Sequence, residues 1–304
     1  MSDAEKPKLS PIKLWILASR PKTLPAAAAP VFVGTAVAAY EGVFKPLPAI
    51  FAFIVSLLIQ IGTNFVNDYG DFKKGTDKKD RVGPQRFMTL GLITPREMKT
   101  AIILTFSLAF VLGLYLVSLG GIPALFIGVF SIVAGISYTA GPFPLAYNGL
   151  GDVFVFIFFG LVATVGTYYV QALSVSSLAV WASVPVGLLI TNILVVNNYR
   201  DADDDKQSGK KTLAVIFGKS FARLQYLLSV VFSYLVLIFI YFKFDLPKLS
   251  LLLSIAILPL GIKNIKEIYI KTGSELNNTL AKTAVFSALF SIAFSIGLIS
   301  ELIF

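Results

Sequence analysis

Asn197, Asp201 and Asp205 recur every four residues within NNYRDADDDKQSGKKT, the most charged stretch of a mostly apolar chain. If the apolar helix before it continues, the three side chains share one face. A stripe of one amide and two carboxylates offers only hard oxygen ligands, which suits Mg²⁺ rather than a soft metal. Asp203 and Asp204 add further carboxylates, with Arg200, Lys206, Lys210 and Lys211 around them. An earlier stretch, NFVNDYGD, resembles it: Asn64 with Asp68, and Asn67 with Asp71, are each four apart. Thr63-Asn64 and Thr191-Asn192 open the two stretches alike, and Asn67-x-x-x-Asp71 echoes Asn197-x-x-x-Asp201, the trace of a faint internal duplication. Two acidic helix ends that meet across a cavity would hold a divalent cation.

The surroundings indicate an anionic substrate. After the first stretch, KKGTDKKDRVGPQRFM mixes Lys73, Lys74, Lys78, Lys79, Arg81 and Arg86 with Asp77 and Asp80. Carboxylates beside abundant cations suit a metal-bridged diphosphate: Mg²⁺ links carboxylate to phosphate, and Arg or Lys takes the remaining oxygens. Arg81 and Arg200 stand closest to the acidic residues and are assigned that role, with Asn64, Asn197 and Lys206 as further diphosphate contacts.

The elements that must position these groups are membrane helices. A soluble domain carries about 25% charged residues; this chain of 304 residues carries 14%, is 56% hydrophobic and has a mean hydropathy of +0.79. It reads as one all-α, polytopic membrane domain spanning 1–304, with a flexible cytoplasmic start at 1–13. No cysteine is present, which excludes a disulfide framework and thiolate metal sites; no histidine is present, which excludes a Ser–His dyad and a His general base. Apolar segments at 24–40, 48–66, 100–118, 122–138, 151–171, 178–196, 224–242, 248–262 and 283–303 predict nine transmembrane helices around a central cavity. Residues 1–23, 67–99, 139–150, 197–223 and 263–282 hold 23 of the 26 Lys and Arg, and the opposite loops hold only Lys45, Lys243 and Lys248. That asymmetry accounts for the +9 net charge without nucleic acid, and predicts a cytoplasmic N-terminus with the C-terminus outside. Four of the nine helices separate the acidic stretches, so both emerge on the cytoplasmic face.

NDYGD at 67–71, DRVGPQR at 80–86, SYTAGPFPLAYNGLGD at 137–152, NNYRDADDDKQSGKKTLAV at 197–215 and SRPKTLPAAAAPVFVG at 19–34 resemble the UbiA superfamily of intramembrane prenyltransferases. Within it they are most similar to the group that prenylates 1,4-dihydroxy-2-naphthoate in menaquinone synthesis. The resemblance implies two Asp-rich motifs that bind Mg²⁺ and diphosphate, carried here by Asn67, Asp71, Asp201 and Asp205 with Asp68 beside them. The superfamily's first motif often runs N-x-x-x-D-x-x-x-D, but its last position here is Gly75, with Asp77 two residues on; Asp77, Asp80 and Asn64 are the candidates for a third ligand. Tyr138 and Tyr147 flank a Gly/Pro loop that would close over an aromatic acceptor, and Arg20 joins them as an acceptor contact with a lipid headgroup as its alternative partner. Asp152 is a weaker candidate: it opens a helix, where stabilisation by the N-terminal dipole explains it as well as a functional role.

The implied reaction transfers a polyprenyl group from polyprenyl diphosphate to 1,4-dihydroxy-2-naphthoate with decarboxylation, at the cytoplasmic side of a prokaryotic cytoplasmic membrane. The expected partners are the two substrates and the bilayer, with no nucleic acid and no obligatory protein. Prenylation of 4-hydroxybenzoate, homogentisate or a glycerophosphate ether would use similar motifs. A cation-coupled transporter is the reading from another class, but transporters place coupling sites near the midplane on broken helices, whereas these acids cluster at one interface.

Overall fold

The computed structural model describes residues 10–75, 83 and 86–303. Among them there are helices and turns and no strand, with one isolated parallel bridge between Asn148 and Lys211. The helices are α1 (Pro11–Ala18), α2 (Leu24–Tyr40), α3 (Pro46–Lys74), α4 (Pro95–Ser137), α5 (Gly151–Ala172), α6 (Ser177–Gln207), α7 (Lys219–Lys243), α8 (Lys248–Ile270) and α9 (Leu276–Ile303). Eight helical stretches are long and apolar enough to cross a membrane, the first running from Pro11 to Tyr40 through a short break. Helix begins at Pro11, inside the segment expected to be a flexible start, because Ser10 accepts from the Lys13 amide as an N-cap.

The longest helix explains how eight stretches relate to nine apolar segments. At 43 residues, α4 would measure roughly 64 Å if straight, twice a bilayer core. Gly121 breaks it with φ 62 and ψ −149, a conformation open only to glycine. The two halves fold back on each other: a Cβ on Gly135 would lie 3.8 Å from the ring of Phe106, although 29 residues separate them in sequence.

Burial sorts centre from periphery. Of the most apolar stretch of α6, 67% is buried, against 17% in α4. Small residues of α2, Ala29, Val33 and Val37 among them, pack with Ala179, Val186 and Ile190 of α6 and Phe286, Phe290 and Phe294 of α9. Helix α4 instead turns Leu104, Leu108, Val111 and Phe130 outward, a contiguous apolar surface that only lipid satisfies. The chain is an integral membrane protein.

Both acidic stretches lie on helix. The expected segment 48–66 continues as α3 to Lys74, and 178–196 continues as α6 to Gln207. Each helix then stops at a left-handed glycine: Gly75 has φ 67 and caps α3, while Gly209 has φ 75 just beyond α6. Carboxylates in the last turns of a helix oppose its macrodipole, so their placement is not helix stabilisation.

Candidate active site

The two helix ends open into one cavity of about 690 Å³. Asn67 and Asp71 of α3 line one wall, and Asn197, Asp201 and Asp205 of α6 line the other. Away from them the lining turns apolar, with Val55 of α3, Leu114 and Ile127 of α4, and Phe158 and Val162 of α5. Phe158 and Val162 lie on a π-type turn, Phe156–Val162, where one extra residue per turn widens the helix.

The periodicity gave two stripes on α3, and the fold separates them. Asn67 and Asp71 face the cavity. Asn64 turns toward the start of the chain, its amide donating to the Ser19 carbonyl at 2.9 Å and to Thr23 Oγ1 at 3.0 Å. Asp68, one residue from Asn67 and so about 100° around the helix, is buried outside the cavity lining. Gly75, where the superfamily motif often carries its third acid, is the C-cap of α3: its left-handed backbone ends the stripe.

Three of the cavity carboxylates, Asp71, Asp201 and Asp205, each meet a cation. Arg86 Nη2 lies 2.8 Å from Asp71 Oδ2, and the Tyr147 hydroxyl donates to the other oxygen at 2.8 Å. Thr139 Oγ1 donates to Asn67 Oδ1 at 2.8 Å. Arg200 grips Asp201 with two contacts, Nε–Oδ1 at 2.6 Å and Nη2–Oδ2 at 2.7 Å, and also donates to Asn197 Oδ1 and, across to α9, Asn277 Oδ1. Lys210 reaches Asp205 at 3.3 Å because Gly209 turns the chain back after α6.

These contacts revise the assignment of the cations. The Arg200 side chain is 1% exposed and spends its donors on protein acceptors, so it orients Asp201 and Asn197 rather than lining the cavity. Lys206 is exposed and outside the lining. Arg81, Asp77 and Asp80 lie outside the described residues. Arg86 and Lys210 line the cavity instead, two cations that stand beside the acidic stretches in sequence without an assigned role. Tyr138, Tyr147 and Arg20 line it too. Desolvation, followed by the charges of Asp152, Asp71 and Asp205, raises the pKa of the Tyr138 phenol, which therefore stays a neutral hydrogen-bond donor. Arg20 holds a left-handed backbone, φ 54, immediately before Pro21.

The donor set fits a hard divalent cation, since amide and carboxylate oxygens are its only ligands. Among the described residues, no three acidic, thiol or imidazole side chains gather tightly enough to cage a metal by themselves. Magnesium is characteristically held by one or two carboxylates, with water and phosphate oxygens completing its shell. An open set on two facing walls suits an ion that shares an anionic ligand with the protein.

Residues 27–297 match the family described as the UbiA prenyltransferase family. A relative from Escherichia coli strain K12, 1,4-dihydroxy-2-naphthoate octaprenyltransferase, is 40% identical over 262 residues, covering 84% of this chain and 85% of the relative. The apo structure of a UbiA homologue from Aeropyrum pernix K1 superposes with a TM-score of 0.70 at 16% identity, covering 93% of this chain and 99% of that one. A UbiA homologue from Archaeoglobus fulgidus, solved bound to DMAPP and Mg²⁺, gives 0.63 at 15% identity over 93% and 99%. With its fold shared and nearly all of its length matched, this chain belongs to the UbiA prenyltransferase family.

Proposed function

We propose that the protein transfers a polyprenyl group from polyprenyl diphosphate to 1,4-dihydroxy-2-naphthoate, releasing CO₂ and diphosphate and yielding demethylmenaquinol. The observation that carries this reading is the single cavity with Asn67, Asp71, Asn197, Asp201 and Asp205 at one end and an apolar channel beyond. The acceptor follows the name of the Escherichia coli relative. We place the acidic end at the cytoplasmic face of a prokaryotic cytoplasmic membrane, with nine crossings counted by dividing α4 at Gly121; the Lys and Arg asymmetry supports that orientation.

Asp71, Asp201 and Asp205, with Asn67 and Asn197, would hold Mg²⁺, and the ion would supply charge stabilisation for the departing diphosphate. Arg86 and Lys210 take the outer phosphate oxygens. The allylic C–O bond breaks with its electron pair leaving on diphosphate, and the electron-rich ring forms the new C–C bond. Val55, Leu114, Ile127 and Phe158 exclude water that would trap the cation as an alcohol. Carboxylate leaves as CO₂ and returns its electron pair to the ring, so the exchange releases no net proton. A catalytic base is thus not required, in keeping with a chain that has no histidine. Tyr138 offers a hydroxyl donor to the acceptor's oxygens, whereas Tyr147 spends its own on Asp71 and presents its ring.

The test is turnover by purified protein with polyprenyl diphosphate and 1,4-dihydroxy-2-naphthoate, followed by release of CO₂ and prenylated product. EDTA and Asp201→Asn should each abolish it. Turnover only with 4-hydroxybenzoate or another acceptor would discard the substrate assignment; no turnover with any acceptor, in folded protein, would discard the reaction.

A further inference from the structure

Tyr147 stands between two compartments. Its hydroxyl holds Asp71 on the reaction-cavity side, and the Lys74 ammonium sits 3.7 Å from the centre of its ring. Beyond it lies a second, open cleft of about 540 Å³, lined by Lys74, Lys211, Asn148, Tyr147 and Ser208 with small Gly and Pro residues between. Tyr147 and Ser208 line both spaces. No carboxylate is among the described residues lining the cleft, although Asp71, Asp201, Asp204 and Asp205 all line the cavity next door.

The cleft is built from the two segments that follow the acidic stretches. Lys74 ends α3 and donates to the Thr139 carbonyl at 3.0 Å. The Lys211 amide donates to the Tyr147 carbonyl at 3.0 Å, and Lys211 pairs with Asn148 in the isolated bridge. The Lys74 side chain and the Lys211 backbone are thus each tied to the 139–148 connection, which brings both lysines to one hollow, while Ser208 and Asn148 donate to the Asp205 and Pro144 carbonyls and hold its walls. Its ligand chemistry is that of a small polyanion.

We propose that this cleft is the exit site for diphosphate, with Lys74 and Lys211 receiving the anion and Tyr147 as the partition it passes. This rests on the prenyl-transfer reading above. Once the prenyl chain has left, the freed diphosphate carries an additional negative charge beside four carboxylates. The positive charge of Lys74 and Lys211 in the neighbouring hollow lowers the electrostatic cost of leaving. The chain's other water-soluble anion, the carboxylated acceptor, shares this chemistry, so the experiment separates the two.

The full chain in detergent with EDTA, which removes metal-bridged binding, is titrated with inorganic pyrophosphate. One weak site is expected, retained in Asp201→Asn, weakened about tenfold by Lys211→Glu and restored by Lys211→Arg. Lys211 is exposed and contributes only its backbone to the loop, so the variant should fold. In turnover, Lys211→Glu should lower the steady-state rate several-fold and leave the single-turnover rate of prenyl transfer unchanged. EDTA-resistant binding that is absent or indifferent to Lys211→Glu overturns the proposal. So does a cleft that takes 1,4-dihydroxy-2-naphthoate in a Lys211-dependent way and not pyrophosphate. Pyrophosphate binding that meets these expectations in a protein with no prenyl transfer would uphold the anion site and discard the reaction.

Discussion

The two acidic stretches share a spacing and are held in opposite ways. Asp201 is gripped from inside: its partner Arg200 is the preceding residue on α6, is 1% exposed, and is locked to Asn277 of α9. Asp71 is held from outside, by Arg86 and by the Tyr147 hydroxyl, both on connections between helices. The α6 wall is therefore fixed by the helical core at Asp201, with only Asp205 at its far end met by a loop lysine, whereas the α3 wall depends on loops closing over it. A rigid wall keeps its ligands aligned before substrate arrives, whereas a loop-held wall permits substrate to enter and product to leave.

The largest expected effect removes a proposed ligand from either wall. Asp201→Asn and Asp71→Asn should each cost about 10²–10³-fold or more in kcat/KM, measured with saturating Mg²⁺. The comparison sharpens in how metal concentration acts. Excess Mg²⁺ should partly restore Asp71→Asn, whose wall can readjust, and leave Asp201→Asn inactive. Equal rescue of both would mean the walls do not differ.

Stability separates them next. Arg200→Met leaves Asp201 buried without its bidentate partner, a loss of about 3–5 kcal/mol, and should lower the detergent melting temperature well below that of Arg86→Met. Asp71 has the Tyr147 hydroxyl and a more open setting, so Arg86→Met should cost about 1 kcal/mol of stability and appear mainly as a raised KM for the prenyl diphosphate. Matching melting temperatures would break the distinction.

What the sequence made legible follows from the same contrast. A four-residue period on a continuing helix is enough to place Asn197, Asp201 and Asp205 on one wall, since that spacing survives whatever packs around it. It is not enough to choose between Asn64/Asp68 and Asn67/Asp71, which have identical spacing and differ only in rotation about α3. That choice is made by the turn at Ser19–Thr23, which accepts Asn64. The cations were harder still. Arg200 precedes an acid in sequence and its type suits a phosphate ligand, yet its donors go to Asp201, to Asn197 and to Asn277, the last 77 residues away. Tyr147 reaches Asp71 across 76 residues, and no local pattern encodes that. Glycine soon after each stripe, at Gly75 and Gly209, is the ordinary mark of a helix end. From it follow the missing third acid of the first motif and the return of Lys210 onto Asp205.

A smaller change tests the loop-held wall alone. Tyr147→Phe keeps the ring beneath Lys74 and deletes only the donor to Asp71, worth about 0.5–1.5 kcal/mol. An increase of a few-fold in the Mg²⁺ concentration needed for half-maximal activity is expected, with kcat less affected. No change in metal dependence would mean that Tyr147 does not orient Asp71.

The smallest effect comes from the acid that the stripe leaves out. Asp203 lies among the ligands in sequence, yet it points off the shared face, its side chain is 80% exposed, and it pairs with Lys219 at 2.7 Å on the surface. Exposed ion pairs contribute about 0–1 kcal/mol, and Asp203 does not line the cavity. Asp203→Asn should therefore leave kcat/KM within about twofold and the melting temperature nearly unchanged. Since Asp201→Asn and Asp203→Asn alter the net charge of the same helix end equally, a difference of two or more orders of magnitude between them isolates geometry from charge. Were Asp203→Asn as damaging as Asp201→Asn, the second stretch would be acting as a diffuse acidic patch, and the distinction between a rigid wall and a loop-held one would lose its basis.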